Sequence, residues 1–535
     1  MVSPSDFRPF SVQIVFAPTA AYPTDYNSLT GFRKVLYRTL VGGHVFNQTA
    51  PIIKLDPQLG EPEHVDLLGL LNSSTACFWL KQVCYPKGGD SVGKEGARVR
   101  KLLWDIYYEF DSTKLRSFPI PDEKPRQLSA LIRSEAKERS SLLPYQSVAA
   151  RVPTRLHLDT VRSASDKHLG HMIALQEELD WQCYRLYGIL DEDLTLPFDQ
   201  VPPLQLGQRA FEIVLARAGD EPLWFERHRS TPMIDLPASW PEAYRKLVER
   251  RIGIIETNRD IALIERPEYK RRWNLPTWEE MESDALKRWL LDRIESNNVW
   301  REHGLRSCAQ LRDALARDLE WLSVAEIYNG KPLEDLDQFV IGLTTPEAVP
   351  FLPVLRYTET GRRKRIEWQN AWTLQREEDA GAKVDIPVPT RYTSKDFQKP
   401  DYWRLRGGLD VPKERFILYP GFQRDSDETP VLGWAGWSHL EQAQRLAAYY
   451  QRMRNEEGWE PERLKPILAG LLELREWLKQ WHDDIPDPET GLKLGTYFSD
   501  YAEAQCQELG FSTQEVLAWK PAAVTTTGRR KNKTK

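Results

Sequence analysis

Met172, Leu175, Leu179, Cys183, Leu186 and Leu190 follow one another at intervals of three or four residues. That spacing is the period of one helix face, so it fixes a long helix whose apolar stripe must be covered by something else. The stripe lies within a helical stretch from residue 124 to residue 200, ended by Pro197, Pro202 and Pro203. Internal packing is its simplest use, and a partner interface is the other. A second apolar run lies upstream at 64–83, where Leu67, Leu71, Ser74 and Phe78 step by four, three and four and Val65, Leu68, Leu70 and Trp79 are also apolar. A helix apolar on most sides is a buried one, so this run is expected at the centre of its domain.

Other segments alternate instead. Residues 9–17 and 45–55 read as strands, the second interrupted or placed at an edge by Pro51. Gly88, Gly89, Gly93 and Gly96 break regular structure, so 86–101 reads as a loop, followed by a strand from Trp104 to Phe110. Residues 204–345 are helix-rich and charged. The section after 346 opens with strand-like stretches and turns helical at 438–456 and 461–481, where Leu464, Leu468, Leu471, Leu478 and Trp481 form the predicted inner face. No repeat of 20–50 residues is visible.

The expected fold class is therefore multidomain α+β. A mixed α/β domain at 1–122 precedes a helical connector at 123–200, a helix-rich domain at 201–345 and a C-terminal α+β domain at 346–525. A basic tail at 526–535 is expected to be disordered.

Composition excludes several classes. The 535 residues hold 73 Lys+Arg against 78 Asp+Glu and include 19 Trp, a balance incompatible with global disorder. No apolar run is long enough to span a membrane and no secretory signal is visible, so a cytoplasmic protein is expected. Five scattered cysteines form neither a disulfide framework nor CxxC pairs, and read as reduced thiols used as small hydrophobes. The net charge of -5 means that any nucleic-acid binding must come from local patches.

The chain carries no phosphate loop, no GxGxxG after a strand, no HExxH and no GxSxG. It also lacks the Asp- or Asn-Pro-Pro-aromatic tetrapeptide of amino-methyltransferases; Val201-Pro202-Pro203-Leu204 has neither the amide nor the ring. No catalytic, cofactor-binding or metal-binding residues of its own are expected. Two weaker constellations stand out. Asp260 with Glu268 and Lys270 echoes the acid, acid and lysine set of metal-dependent nucleases, although Pro267 and Arg259, Arg266, Arg271 and Arg272 suit a structural charge network better. His168 and His171 share a helix face but have no carboxylate or thiol at obvious ligand spacing, and read as solvated or capping residues.

Charge gives a stronger signal. Lys81, Lys87, Lys94, Arg98, Arg100 and Lys101 face only Asp90 and Glu95 within 81–101. Cations on a glycine-rich loop suit phosphate and groove contacts, the alternative being a solvated loop. Lys114 and Arg116 follow shortly afterwards. Arg362, Arg363, Lys364 and Arg365, after Gly361 and between Tyr357 and Trp368, read as a hairpin tip offering a second backbone contact.

The string from Leu67 to Val83, LLGLLNSSTACFWLKQV, resembles the target-recognition region of the PglX family, the adenine-specific DNA methyltransferases of type 2 BREX phage defence. The likeness continues at Phe110–Pro119, Glu178–Gly188, Ile264–Trp273, Asp410–Pro420 and Leu432–Trp437, and so runs through nearly the whole chain. It implies binding of double-stranded DNA in an adenine-methylating defence system. It also implies a methyltransferase chain and other BREX proteins as partners, with S-adenosylmethionine on the methyltransferase part. Full-length members place their catalytic domain before this region, so the resemblance implies a target-recognition portion without the catalytic core. Cys84-Tyr85-Pro86-Lys87 departs from the more polar string expected there. A defence-associated metal-dependent nuclease is the alternative reading.

Overall fold

The computed structural model describes residues 13–18, 35–40, 52–53, 58–86, 108–109, 112–219, 222–273, 276–300, 304–406, 413–483, 486–487 and 491–521. Lys87, Lys94, Arg98, Arg100, Lys101 and the basic tail lie outside them. The chain divides into two compact units, Met1–Ala285 and Leu286–Lys535. Together they form a multidomain α+β protein in which helices dominate.

In the first unit, β1 (Gln13–Pro18) pairs antiparallel with both β2 (Val35–Leu40) and β3 (Ile52–Ile53). β1 overlaps the predicted strand at 9–17 and runs one residue past it, β3 falls within the one at 45–55, and β2 was not anticipated. The predicted helix at 64–83 is two helices, α1 (Glu61–Asn72) and α2 (Ser74–Val83). Ser73 makes the break. Its hydroxyl donates to Leu70 O at 2.7 Å and accepts from Ala76 N at 3.1 Å, ending one helix and capping the next. β4 (Tyr85–Pro86) pairs antiparallel with β5 (Tyr108–Glu109), all that is described of the strand expected at 104–110. There follow α3 (Ser112–Arg116), α4 (Arg126–Ser141), α5 (Pro144–Ala150) and the long α6 (Arg155–Leu186).

At 32 residues α6 is about 48 Å long, and it organises the unit. Its stripe does serve internal packing. Leu175, Leu179 and Cys183 pack with Leu70, Leu71 and Ala76 of the first two helices, and with Phe118 and Leu128. Trp181 and Tyr184, off the stripe, enter a second core with Phe211, Trp224, Tyr244 and Val248. That core is built on α7 (Ala210–Ala218), α8 (Pro222–His228), α9 (Glu242–Thr257) and α10 (Arg259–Ile264). The helix ends before Leu190, which stands outside the predicted register. The boundary between the two units falls within the next helix, α11 (Trp278–Ile294).

The second unit contains α12 (Asn297–Trp300), β6 (Arg306–Ser307), α13 (Cys308–Leu315), α14 (Leu319–Asn329), α15 (Leu336–Thr344) and β7 (Ala348–Pro350). They are followed by α16 (Pro353–Arg356), α17 (Glu359–Asp379), α18 (Pro400–Arg404), β8 (Phe416–Leu418) and β9 (Val431–Trp434). The four strands form a mixed sheet in the order β6-β9-β8-β7, with only β7 and β8 parallel. α19 (His439–Asn455) and α20 (Pro461–His482) match the two predicted helices, and α21 (Leu494–Glu508) and α22 (Thr513–Leu517) complete the unit. Leu464, Leu468, Leu471 and Leu478 are buried as expected, but Trp481 is 61% exposed and not on the inner face. The five cysteines are buried. Among the described residues no helix is long and apolar enough to cross a membrane.

Candidate nucleic-acid interface

The string 67–83 and the string 264–273 meet in the first unit through buried charge. Asp180, near the middle of α6, accepts from Ser74 N at 2.8 Å and Ser74 Oγ at 2.6 Å, at the first residue of α2. It also accepts from Gln176 Nε2 at 3.2 Å and from Lys270 Nζ at 2.8 Å. Lys270 donates in addition to Glu265 at 2.8 Å, and Glu265 accepts from the Tyr184 hydroxyl. Burial alone would lower the Lys270 ammonium; Asp180 and Glu265 overcome that and hold it above its ordinary value. Two turns along α2, Lys81 donates to Glu268 O at 2.6 Å. The helix leading into β4 is thus fastened to the 265–270 turn at both ends.

Two further carboxylates of α6 are buried beside Asp180. Glu178 pairs with Arg251 at 2.7 Å and accepts from Leu196 N. Glu177 accepts from Ala210 N at 2.7 Å and stands 3.9 Å from Arg251; burial pushes its carboxyl up to about 7 against the pull of that guanidinium. Arg209 and Glu212 form another buried pair at 2.7 Å, and Arg209 also donates to Arg271 O.

This network takes Lys270 out of the acid, acid and lysine constellation read from the sequence. Lys270 is enclosed and already holds two carboxylates, while Glu268 contributes its backbone carbonyl to Lys81 and sits beside Arg266. A lysine so engaged cannot stand beside an attacking water. The histidine pair does have a carboxylate: Glu135 Oε2, from α4, lies 2.8 Å from His168 Nδ1 and 3.2 Å from His171 Nδ1. Sequence spacing could not show it, because the two helices come together only in the fold. Among the described residues no group of His, Cys, Asp or Glu is arranged to hold a metal ion.

The predicted cations separate into distinct fates. Lys81 is buried between the rings of Tyr108 and Tyr269, at 5.2 and 5.7 Å, and burial lowers its ammonium; it belongs to the scaffold of the surface. Lys114 is half-buried, with its ammonium 5.7 Å over the exposed Tyr85 ring, and Arg116 is exposed. Arg362, Arg363, Lys364 and Arg365 are not at a hairpin tip. They occupy the first turns of α17, whose start Thr358 caps by accepting from Gly361 N. Arg362 pairs with Glu359, Lys364 with Asp396 at 2.8 Å, and Arg365 with Glu473. Of the four, Arg363 alone is exposed. A basic string whose charges are spent within the fold makes a weak phosphate contact.

Sequence reasoning missed Asp180, Glu265 and Tyr85. The resemblance had marked the strings carrying the first two, but not that they touch.

A family profile described as a domain of unknown function, DUF7008, matches residues 172–531. The chain belongs to the DUF7008 family. It is 45% identical over 505 residues to the adenine-specific methyltransferase PglX of Streptomyces coelicolor, a match covering 90% of this chain and 41% of that protein, in its C-terminal portion. No solved structure matches. The DUF7008 match begins inside α6, on the stripe, and includes Asp180 and Lys270, whereas α2, β4 and β5 lie before it.

Proposed function

We propose that this chain is the DNA target-recognition portion of an adenine-specific DNA methyltransferase system of the BREX type, acting in phage defence with a methyltransferase part that lies outside these residues. The observation that carries the reading is the identity to PglX over 90% of the chain, joined to a sequence without a donor loop or an Asn-Pro-Pro-aromatic motif. Double-stranded DNA is the partner. Lys87, Lys94, Arg98, Arg100 and Lys101, between β4 and β5 in sequence, supply phosphate attraction together with Lys114 and Arg116.

S-adenosylmethionine is assigned to the methyltransferase part and other BREX proteins to the remaining surface. At the turn from β9 to α19 the glycines do not fit a nucleoside donor such as S-adenosylmethionine. A Cβ at Gly433 would strike Trp437 and Tyr419, and one at Gly436 would strike Trp434, so both make room for rings of the protein itself. No methyl-transfer step is placed on that turn.

Selection of a randomised duplex library on the full chain tests the reading. Enrichment of a defined sequence supports it. Binding without enrichment, or no binding, overturns the target-recognition role.

A further inference from the structure

Tyr85 is 71% exposed, more than any other tyrosine or tryptophan among the described residues. It is held in place by β4–β5 pairing, where it stands opposite Glu109, and by the Lys114 ammonium 5.7 Å over its ring. One turn before it, at the end of α2, is the exposed amide of Gln82, whose contact with Tyr269 Oη is long at 3.5 Å. Arg116 is exposed on the last turn of α3, beyond Lys114. Gln82 and Tyr85 stand at and just beyond the end of α2, the helix that Asp180 holds at Ser74 and Lys81 ties to Glu268 O.

A water-exposed aromatic ring beside a cation has a limited set of uses. For a regular duplex the cations suffice, because base faces are covered by their neighbours and proteins reach only edges and phosphates. An unpaired base offers a free face. A tyrosine ring stacks on it whatever its identity, while adjacent cations take the flanking phosphates.

We propose that Gln82, Tyr85, Lys114 and Arg116 bind nucleic acid through an unpaired base, with the Tyr85 ring stacked on the base, Lys114 and Arg116 on its phosphates and the Gln82 amide on its edge. This rests on the DNA-binding reading above and adds the class of strand taken at this surface. A salt-bridging role for Lys114 and Arg116 with no stacking would give a surface indifferent to base pairing.

Fluorescence anisotropy of the full chain tests it with three labelled probes: a duplex, the same duplex with a central single-base bulge, and its single strand. The bulged and single-stranded probes are expected to bind more tightly than the duplex. Tyr85→Ala should cost them roughly five- to 150-fold and leave the duplex unchanged, with Tyr85→Phe retaining wild-type affinity. Tyr85 is exposed, so Tyr85→Ala should fold; an unchanged melting temperature checks this. Equal affinity for the three probes, or an unchanged bulge preference in Tyr85→Ala, overturns the stacking proposal and leaves the duplex reading standing. Binding to none of the probes overturns both.

Discussion

Asp180 and Lys270 lie ninety residues apart in the sequence and meet at 2.8 Å with both side chains 2% exposed. Around that contact converge α2 through Ser74, α6 through Gln176 and the 265–270 turn through Glu265. A buried cluster of this kind is satisfied only while its lysine is present, because without it Asp180 and Glu265 both lose their counter-charge.

Lys270→Met is accordingly expected to cost ~3–5 kcal/mol, read by chemical denaturation. The double variant Asp180→Asn with Lys270→Met should recover part of that loss, giving a non-additive cycle. Additive losses would show that the contact contributes nothing specific.

Ser73→Ala should lower stability by about 1 kcal/mol, since the hydroxyl both closes α1 and caps α2. Hydrogen exchange should then quicken first at the start of α2. Uniform exchange across the unit would argue that the cap is not what separates the helices.

The buried Glu177 carboxyl gives stability a pH dependence. Its value of about 7 in the fold lies above the ordinary 4.5, so between those limits the folded chain holds a proton that the unfolded chain has lost. Its contribution therefore declines as pH rises from 4.5 to 7, with a slope of up to about 1.4 kcal/mol per pH unit, and is level above 7. His228, which burial pushes down to about 4, acts in the opposite sense from 4 to 6.5. The difference between wild type and Glu177→Gln isolates the glutamate. A flat difference curve would contradict the assignment.

Lys364→Ala separates scaffold from interface. Lys364 bonds Asp396 and Arg391 O at 2.8 and 2.9 Å, so the variant should lose about 1–2 kcal/mol with duplex affinity within twofold of wild type. A large loss of DNA affinity in a stably folded variant would restore α17 as a contact.

The stripe on α6, the burial of the 64–83 run and the helices α19 and α20 were legible because each follows from periodicity alone. The break at Ser73 was not, since one hydroxyl competing for Leu70 O leaves the apolar spacing untouched. Arg362 to Arg365 were misplaced for a similar reason. Glycine followed by four cations suits a turn, and only Asp396 and Glu473, brought in by the fold, make the segment a comfortable helix. Glu177, Glu178 and Asp180 interrupt nothing in the stripe, and their partners Arg251 and Lys270 lie on other elements. Charges that pair at long range look like solvated charges in a sequence.

The central claim is that this chain holds duplex DNA through the cations around β4 and β5, and the salt dependence of duplex affinity tests it most directly. Dissociation constants of the full chain would be measured between about 50 and 200 mM salt, for wild type and for a variant with Lys87, Lys94, Arg98 and Arg100 replaced by glutamine. Wild type should weaken steeply with salt, and the variant should bind more weakly with a log–log slope shallower by about 3–4. Duplex binding with the same affinity and slope in both proteins, or no salt-dependent binding at all, would contradict it.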